Sequence, residues 1–264
     1  MDIAQIFSGF AVGAIVGVTG VGGGALMTPL LVLLFGVAPA TAVGTDLLYA
    51  AIPKSGGTWV HARRGRVDWI IVRRLAAGSL PAALLTLLLV AKLVPGGLGG
   101  AQKTIASFLG VALLLTAGVL LFRRRLLAWA GRRAGPTTAA LAAPAATRAW
   151  PTVLVGAILG SLVALTSVGA GALGVTALLL LYPGLAAIRI VGADLAHAVP
   201  LTLVAGLGHW WLGSIDWTLL ATLLAGSLPG VLIGSHLAHR IPERLLRPTL
   251  AGMLVLAGGK LIAA

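Results

Sequence analysis

Two glycine clusters contain the residues of this chain that are best suited to bind a small anion. The first runs Gly20-Val21-Gly22-Gly23-Gly24, and a similar phrase returns as Ser167-Val168-Gly169-Ala170-Gly171. Each cluster precedes an apolar segment, so its N–H groups would lie at a helix N-terminus, where the helix dipole contributes about half a positive charge. The residues predicted to bind an anion in this way are Gly22, Gly23, Gly24, Gly169 and Gly171.

Close helix packing is the alternative explanation for glycine in apolar segments, because small residues let two helices approach each other. We assign that role to the regularly spaced Gly9, Gly13, Gly17, Gly156 and Gly160. The two clusters differ from these because they break the helical pattern. Broken backbone at membrane depth must be buried in protein or line a wet cavity. A duplicated break therefore indicates the binding site of a transporter.

Two carboxyl groups lie inside apolar segments. Asp46 and Asp194 stand about seven residues from the start of their segments, which is roughly 10 Å along a helix. Ionisable residues at such depth usually face the bundle interior or water and mark a function. We predict that the pair carries a coupling proton or sets a gate. The alternative is a pair of carboxyl groups held by neighbouring amides or by a basic side chain.

Lys54 is a third ionisable residue in an apolar setting. It follows Pro53 and precedes Ser55-Gly56-Gly57, a patch with low helix propensity. Its amine could attract an anion into the transport pathway, or it could extend to the inner lipid headgroups while its stem stays buried. Both interpretations stay open. Thr45, directly before the first aspartate, is a further candidate substrate-binding residue.

Several kinds of chemistry are not expected from this sequence. It contains no cysteine, which excludes disulfides, thiolate metal sites and cysteine nucleophiles. His61 and His209 fall at opposite ends of the predicted membrane spans, so they would not share a metal ion. No nucleophile–base pair can be recognised. We therefore predict no enzymatic activity, no metal and no cofactor.

The composition places the chain among multi-pass membrane proteins. Of its 264 residues, 59% are hydrophobic and 9% are charged. A net charge of +13 would suit a nucleic-acid partner, but the charges are confined to short connections between apolar segments. The predicted partners are therefore a lipid bilayer and a small anionic substrate, not nucleic acid. Assembly into a homodimer stays open.

Apolar segments divide the chain into two halves joined by a basic linker. The first half, residues 1–122, contains segments at 4–18, 24–36, 39–61, 68–91 and 101–122. Residues 123–150 form the linker, and the second half, residues 151–264, contains segments at 151–166, 171–183, 187–211, 216–238 and 244–262. The second segment of each half is too short to cross a bilayer core of about 30 Å. Each leading pair is therefore either a re-entrant hairpin or two tilted short helices.

Motifs in the two halves correspond in order, which indicates an internal duplication. Val43-Gly44-Thr45-Asp46-Leu47 matches Val191-Gly192-Ala193-Asp194-Leu195, and Gly78-Ser79-Leu80-Pro81 matches Gly226-Ser227-Leu228-Pro229. The glycine clusters match in the same order. We therefore treat the halves as two copies of one structural repeat.

The arginine distribution predicts that the two repeats have opposite orientations. Basic residues cluster at 62–67, in the linker and near 239–243, whereas 92–100 and 212–215 carry few or none. By the positive-inside rule the first three connections are cytoplasmic and the last two are external. We predict an all-α polytopic membrane protein with two inverted-topology repeats, broken or re-entrant at each glycine cluster. It would lie in the inner (plasma) membrane with both termini external.

The motifs resemble those of the sulfite exporter TauE/SafE family of membrane transporters over nearly the whole chain except the linker. The similarity lies in the first glycine cluster with Pro29, Ala42-Val43-Gly44-Thr45, Gly65-Arg66-Val67-Asp68-Trp69, Ser214-Ile215-Asp216-Trp217 and Ile241-Pro242-Glu243-Arg244. The resemblance implies that the chain moves small organic or inorganic sulfur anions, such as sulfite or sulfonates.

The predicted function is that of a secondary transporter for a small sulfur-containing anion: sulfite, a sulfonate or a related oxyanion. Inverted repeats imply alternating access through a site near the bilayer midplane. The two aspartates provide an option for proton coupling. An anion channel and a transporter of a non-sulfur small carboxylate stay open as alternatives.

Overall fold

The computed structural model describes residues 3–19, 24–133, 148–237 and 243–263. These residues form helices and no β-strand, which confirms the predicted all-α class. The helices in chain order are α1 (Ile3–Thr19), α2 (Gly24–Phe35), α3 (Pro39–Arg63), α4 (Trp69–Leu93), α5 (Gly97–Gly100), α6 (Gln102–Arg133), α7 (Ala149–Thr166), α8 (Ala172–Leu181), α9 (Ala187–Trp211), α10 (Trp217–Leu237) and α11 (Glu243–Ala263).

Helix α6 extends further than the sequence predicts. The apolar segment ends near residue 122, whereas the helix continues to Arg133 and so includes the start of the predicted linker. The added residues, Arg123-Arg124-Arg125-Leu126-Leu127-Ala128 and those after them, are mostly strong helix formers. The high helix propensity of these residues therefore explains why the helix continues beyond the apolar segment.

Five helices of the described chain are long and apolar enough to cross a membrane. They are Trp69–Leu93, Gln102–Arg123, Ala149–Thr166, Ala187–Trp211 and Trp217–Gly234. Helix α3 has 25 residues but is not among them, because its polar residues, including Asp46 and Lys54, lower its hydropathy. Large apolar side chains on α4, such as Leu85 and Leu89, are exposed. An exposed apolar surface of this kind suits contact with lipid.

Two parallel helix pairs join the halves, and they use equivalent glycines. On α1, a Cβ added at Gly9 would lie 2.9 Å from the Leu223 carbonyl oxygen of α10, and one at Gly13 would meet the Ser227 backbone. On α7, a Cβ at Gly156 would meet the Leu75 backbone of α4. Gly160 has the same relation to Ser79 of α4. The predicted packing role of these four glycines is therefore confirmed.

Helices α3 and α9 pack on each other in opposite directions. Gly44, near the start of α3, lies against His209 near the end of α9, and Gly57, near the end of α3, lies against Leu195 near the start of α9. The turns that follow α3 and α9 are consequently at opposite ends of this helix pair.

Helices α7 and α8 form a hairpin around the second glycine cluster. The hydroxyl oxygens of Thr152, near the start of α7, and Tyr182, just after α8, are 2.7 Å apart. The connection needs unusual backbone angles, with φ of 57° at Ser167, 132° at Gly169 and 119° at Gly171. Glycine adopts such angles readily. The second leading pair thus brings its two ends together, which both a re-entrant hairpin and two tilted short helices would do.

Candidate functional site

Asp46 of α3 lies at the centre of a buried polar group that joins the two halves. Its side chain is fully buried, and its Oδ2 accepts a 2.6 Å hydrogen bond from the Thr28 hydroxyl of α2. The Ser167 hydroxyl, from the turn between α7 and α8, lies close to the same carboxyl group but outside hydrogen-bond geometry. The first half's aspartate therefore faces the second half's glycine turn.

Asp194 of α9 approaches that turn from the other side. Its carboxyl group is 3% exposed and interacts with the backbone N–H of Gly171, directly before α8. Gly174, one turn into α8, has no side chain, and a Cβ there would overlap Asp194 Oδ1. Gly174 thus provides the space in which the carboxyl group reaches the helix N-terminus.

Lys54 supplies the positive charge of this group. It lies two turns after Asp46 on α3, is 8% exposed, and interacts electrostatically with both Asp46 and Asp194. Among the described residues, no ion pair joins its amine to either carboxyl group. Its buried side chain is surrounded by protein.

His197 and Ser79 complete the group, and neither was predicted as a site residue from the sequence. His197 lies on α9 one turn after Asp194, and its fully buried ring interacts electrostatically with Lys54. Its Nε2 is 2.7 Å from the hydroxyl oxygen of Ser79 on α4. A single histidine inside an apolar segment is a weak sequence signal. Its position three residues after an intramembrane aspartate, on the same helix face, could have identified it.

We call Asp46, Lys54, Ser167, Asp194 and His197 the polar site. Several buried polar atoms in or beside it have no hydrogen-bond partner among the described residues: Asp46 Oδ1, Tyr49 OH, Ser167 Oγ, Asp194 Oδ1, His197 Nδ1 and Ser227 Oγ. Leaving one such atom unpaired costs about 1–3 kcal/mol. A group of them at one place therefore calls for water or a polar ligand as the missing partner.

Comparison with known proteins identifies the family. The model of the family described as "Sulfite exporter TauE/SafE" matches residues 5–261. The chain belongs to the sulfite exporter TauE/SafE family. This confirms the resemblance inferred from the motifs and makes the chain a membrane transporter by family.

Individual relatives agree with this assignment. The chain is 40% identical over 262 residues to the "Probable membrane transporter protein YjnA" of Bacillus subtilis, covering 99% of this chain and 100% of that protein. It is 27% identical to "Probable membrane transporter protein YdhB" of the same organism, covering 94% and 97% of the two chains. A "Probable membrane transporter protein" of Xylella fastidiosa is 28% identical, covering 97% and 92%. No solved structure matches the chain.

The glycines predicted to bind an anion do not all lie at the polar site of this TauE/SafE family member. Gly22 and Gly23 lie outside the described residues, and Gly24 is the first residue of α2. Gly171 contributes its amide to the polar site. Gly169 packs beneath the turn, where a Cβ would lie 3.2 Å from the Leu162 side chain. Among the predicted glycines that the structure describes, Gly171 is the one that interacts with Asp194 of the polar site.

Thr45 points away from the polar site. Its hydroxyl oxygen accepts a 3.2 Å hydrogen bond from the backbone N–H of Asp216, at the turn before α10. Neighbouring residues on a helix face different directions, so Thr45 stabilises contact between the halves while Asp46 faces the site. The predicted coupling pair, Asp46 and Asp194, and the predicted ligand Lys54 are brought together.

Proposed function

We propose that this transporter moves a small sulfur-containing anion, such as sulfite, a sulfonate or a related oxyanion, and binds it at the polar site. One observation carries the proposal: a buried amine, Lys54, lies within electrostatic range of two buried carboxyl groups from different halves. Ionisable residues inside a membrane protein are rare and mark substrate or proton pathways. The family supports the choice of a sulfur anion.

The groups that attract the anion in this proposal are the Lys54 amine and the Gly171 amide. The Asp194 carboxyl group now interacts with that amide, so it takes the place that an oxygen of the substrate would take. Binding of the anion would displace Asp194 from the helix N-terminus. A carboxylate substrate would fit the same amide, and this keeps a non-sulfur small carboxylate as the second candidate.

Charge balance supports proton coupling. With both carboxyl groups ionised, the polar site would hold two negative charges against the one positive charge of Lys54. A net negative charge in a poorly screened interior opposes entry of an anion. Uptake of a proton by Asp46 or Asp194 removes that opposition. We therefore propose that a proton and the anion bind together and that the aspartates are the coupling residues.

Alternating access follows from inverted repeats in this proposal. The opposite directions of α3 and α9 and the matched glycine contacts of α1 with α10 and of α7 with α4 support an inverted arrangement. Rocking of one repeat against the other would open the polar site to each side in turn. The same arrangement, with the arginine distribution, supports external termini in the plasma membrane.

Counterflow in proteoliposomes tests the proposal. Vesicles loaded with unlabelled sulfite and diluted into trace [³⁵S]sulfite should show transient accumulation of the label, and a methanesulfonate, acetate and phosphate series ranks the substrate classes. A channel dissipates gradients and gives no such accumulation. Absence of counterflow with every sulfur oxyanion, in vesicles that contain folded protein, would contradict the proposed function.

A further inference from the structure

His197 has one ring nitrogen beside a protein partner and one without a partner among the described residues. Nε2 is 2.7 Å from the Ser79 hydroxyl oxygen, and Nδ1 is buried without a hydrogen bond to a described residue. The ring itself is completely buried. The ring lies on the same face of α9 as Asp194 and within electrostatic range of Lys54, so it borders the polar site.

The Ser79 hydroxyl can determine which nitrogen of His197 holds the proton. No hydrogen bond from Ser79 to a described residue other than His197 is present. If the hydroxyl donates to Nε2, a neutral ring must hold its proton on Nδ1. The negatively charged oxygens of an oxyanion accept hydrogen bonds, so the ring can bind them only through an N–H group. Only this tautomer offers such a ligand an N–H group.

We propose that His197 binds the transported anion directly through Nδ1–H, and that Ser79 is the positioning residue that maintains this tautomer. The assignment rests on the proposed function, because it adds a ligand residue to the same site. The site then holds an oxyanion through a charged donor, Lys54, and neutral donors from His197 and the Gly171 amide. A neutral donor contributes orientation without adding a charge that would have to be balanced.

The equivalent position in the first half distinguishes this role from helix packing. Tyr49, three residues after Asp46, corresponds to His197, and Ser227 corresponds to Ser79 in the repeated Gly-Ser-Leu-Pro motif. The hydroxyls of Tyr49 and Ser227 are both buried and lack hydrogen bonds to described residues. Tyr49 nevertheless lies close to Ser227, as His197 lies close to Ser79. Both halves thus have a polar side chain beside the equivalent serine, but of the two only the His197 ring can be a neutral N–H donor whose tautomer that serine fixes.

Two amide substitutions separate a ligand role from a structural one. In His197→Asn the side-chain amide lies near the position of Nδ1, so it can still donate to the anion but cannot reach Ser79. In His197→Gln the amide lies near Nε2, so it keeps the Ser79 contact and loses the donor toward the site. Equilibrium binding of [³⁵S]sulfite to purified protein, with folding checked by size exclusion, measures the difference.

The proposal expects His197→Asn to retain affinity to within about fivefold, and His197→Gln to weaken binding roughly tenfold to hundredfold, as for loss of a hydrogen bond to a charged group. Ser79→Ala, which leaves both tautomers accessible, should weaken binding about twofold to fourfold. A purely structural His197 predicts the reverse order, with Gln tolerated and Asn impaired.

Nitrogen NMR of the wild-type protein gives a reading that does not depend on the variants folding. With ¹⁵N-labelled histidine, the His197 ring should show a protonated Nδ1 whose resonance shifts when sulfite is added. The assignment would be overturned by a ring protonated on Nε2, by a resonance that does not shift when sulfite is added, or by equal affinity in the Asn and Gln variants. Each of these results would leave the proposed transport function intact. If the wild type binds no sulfur oxyanion, the proposed function is lost and this assignment with it.

Discussion

The two halves have equivalent residues at their packing surfaces and different residues at the polar site. Gly13 and Gly160 occupy equivalent positions, and each lets its helix lie against the backbone of an equivalent serine. Eight residues after the equivalent aspartates, however, the first half has Lys54 and the second has Thr202. Packing between two copies constrains both surfaces, whereas a single shared site needs each ligand only once. The difference indicates that a duplicated scaffold surrounds an asymmetric site.

The largest expected effect concerns the orientation of the halves, because a cysteine on one side of the membrane is labelled almost completely and one on the other side hardly at all. The chain lacks cysteine, so single cysteines can be added to the natural background. An impermeant maleimide outside intact cells should label Gly99→Cys and cysteines appended at residues 1 and 264, but should label Arg64→Cys only after permeabilisation. Labelling of residues 1 and 264 on opposite sides would exclude inverted repeats.

Lys54→Met should remove transport almost completely, by at least a hundredfold. The substitution keeps an unbranched side chain of similar length but deletes the charge that attracts the anion and balances the two carboxyl groups. The matched control is Thr202→Val, because the Thr202 hydroxyl bonds the Ala198 carbonyl of its own helix, 2.8 Å away. Uptake of [³⁵S]sulfite per folded molecule should fall in the first variant alone. Equal uptake by both variants would remove Lys54 from the site.

Gly13→Ala and Gly160→Ala should destabilise the protein alike, by about 1–3 kcal/mol each, because each new methyl group meets the backbone of the neighbouring helix. Gly252→Ala is the control, since nothing lies within 4 Å of a Cβ there. Thermal unfolding in detergent measures the effect, and transport per folded molecule should persist. If only one of the two substitutions lowered the stability, the two packing surfaces would not be equivalent.

Asp46→Asn and Asp194→Asn should change binding least and coupling most. Each substitution removes a negative charge, so anion affinity should rise, roughly threefold to tenfold for Asp194→Asn and less for Asp46→Asn. The difference arises because Asp194 interacts with the Gly171 amide, whereas Asp46 is held by the Thr28 hydroxyl. Uptake driven by an imposed pH gradient should be lost in both. Variants that respond to the gradient as the wild type does would make these carboxyl groups structural.

The sequence predicts the helical segments well because apolar length and composition determine where a chain crosses lipid. The packing glycines were also predictable, since their regular spacing places them on one helix face. The contents of the polar site were harder to predict. Whether Lys54 reaches headgroups or faces inward depends on which helices surround α3, and that is tertiary information. For His197 the sequence offers only its spacing from Asp194, and its contact with Ser79 depends on how α4 packs beside α9.

The contact between Asp194 and the Gly171 amide illustrates the same limit. Sequence alone indicates a helix N-terminus suited to an anion and, separately, an intramembrane carboxyl group. Only the folded structure shows that the Asp194 carboxyl group lies at the N-terminus of α8, and that the small residue Gly174 leaves the space for it. Thr45 shows the converse, because its neighbour Asp46 faces the site while its own hydroxyl bonds the turn at Asp216.

Anomalous diffraction from bound selenite is the most direct test of the central claim that a small oxyanion binds between the halves. Selenite has the shape and charge of sulfite, and selenium can be located without reference to the protein model. We expect one anomalous peak in the polar site, between the Lys54 amine and the Gly171 amide, that is absent in Lys54→Met crystals. A peak only at the surface arginines, or one in the polar site that persists in Lys54→Met, would contradict the account.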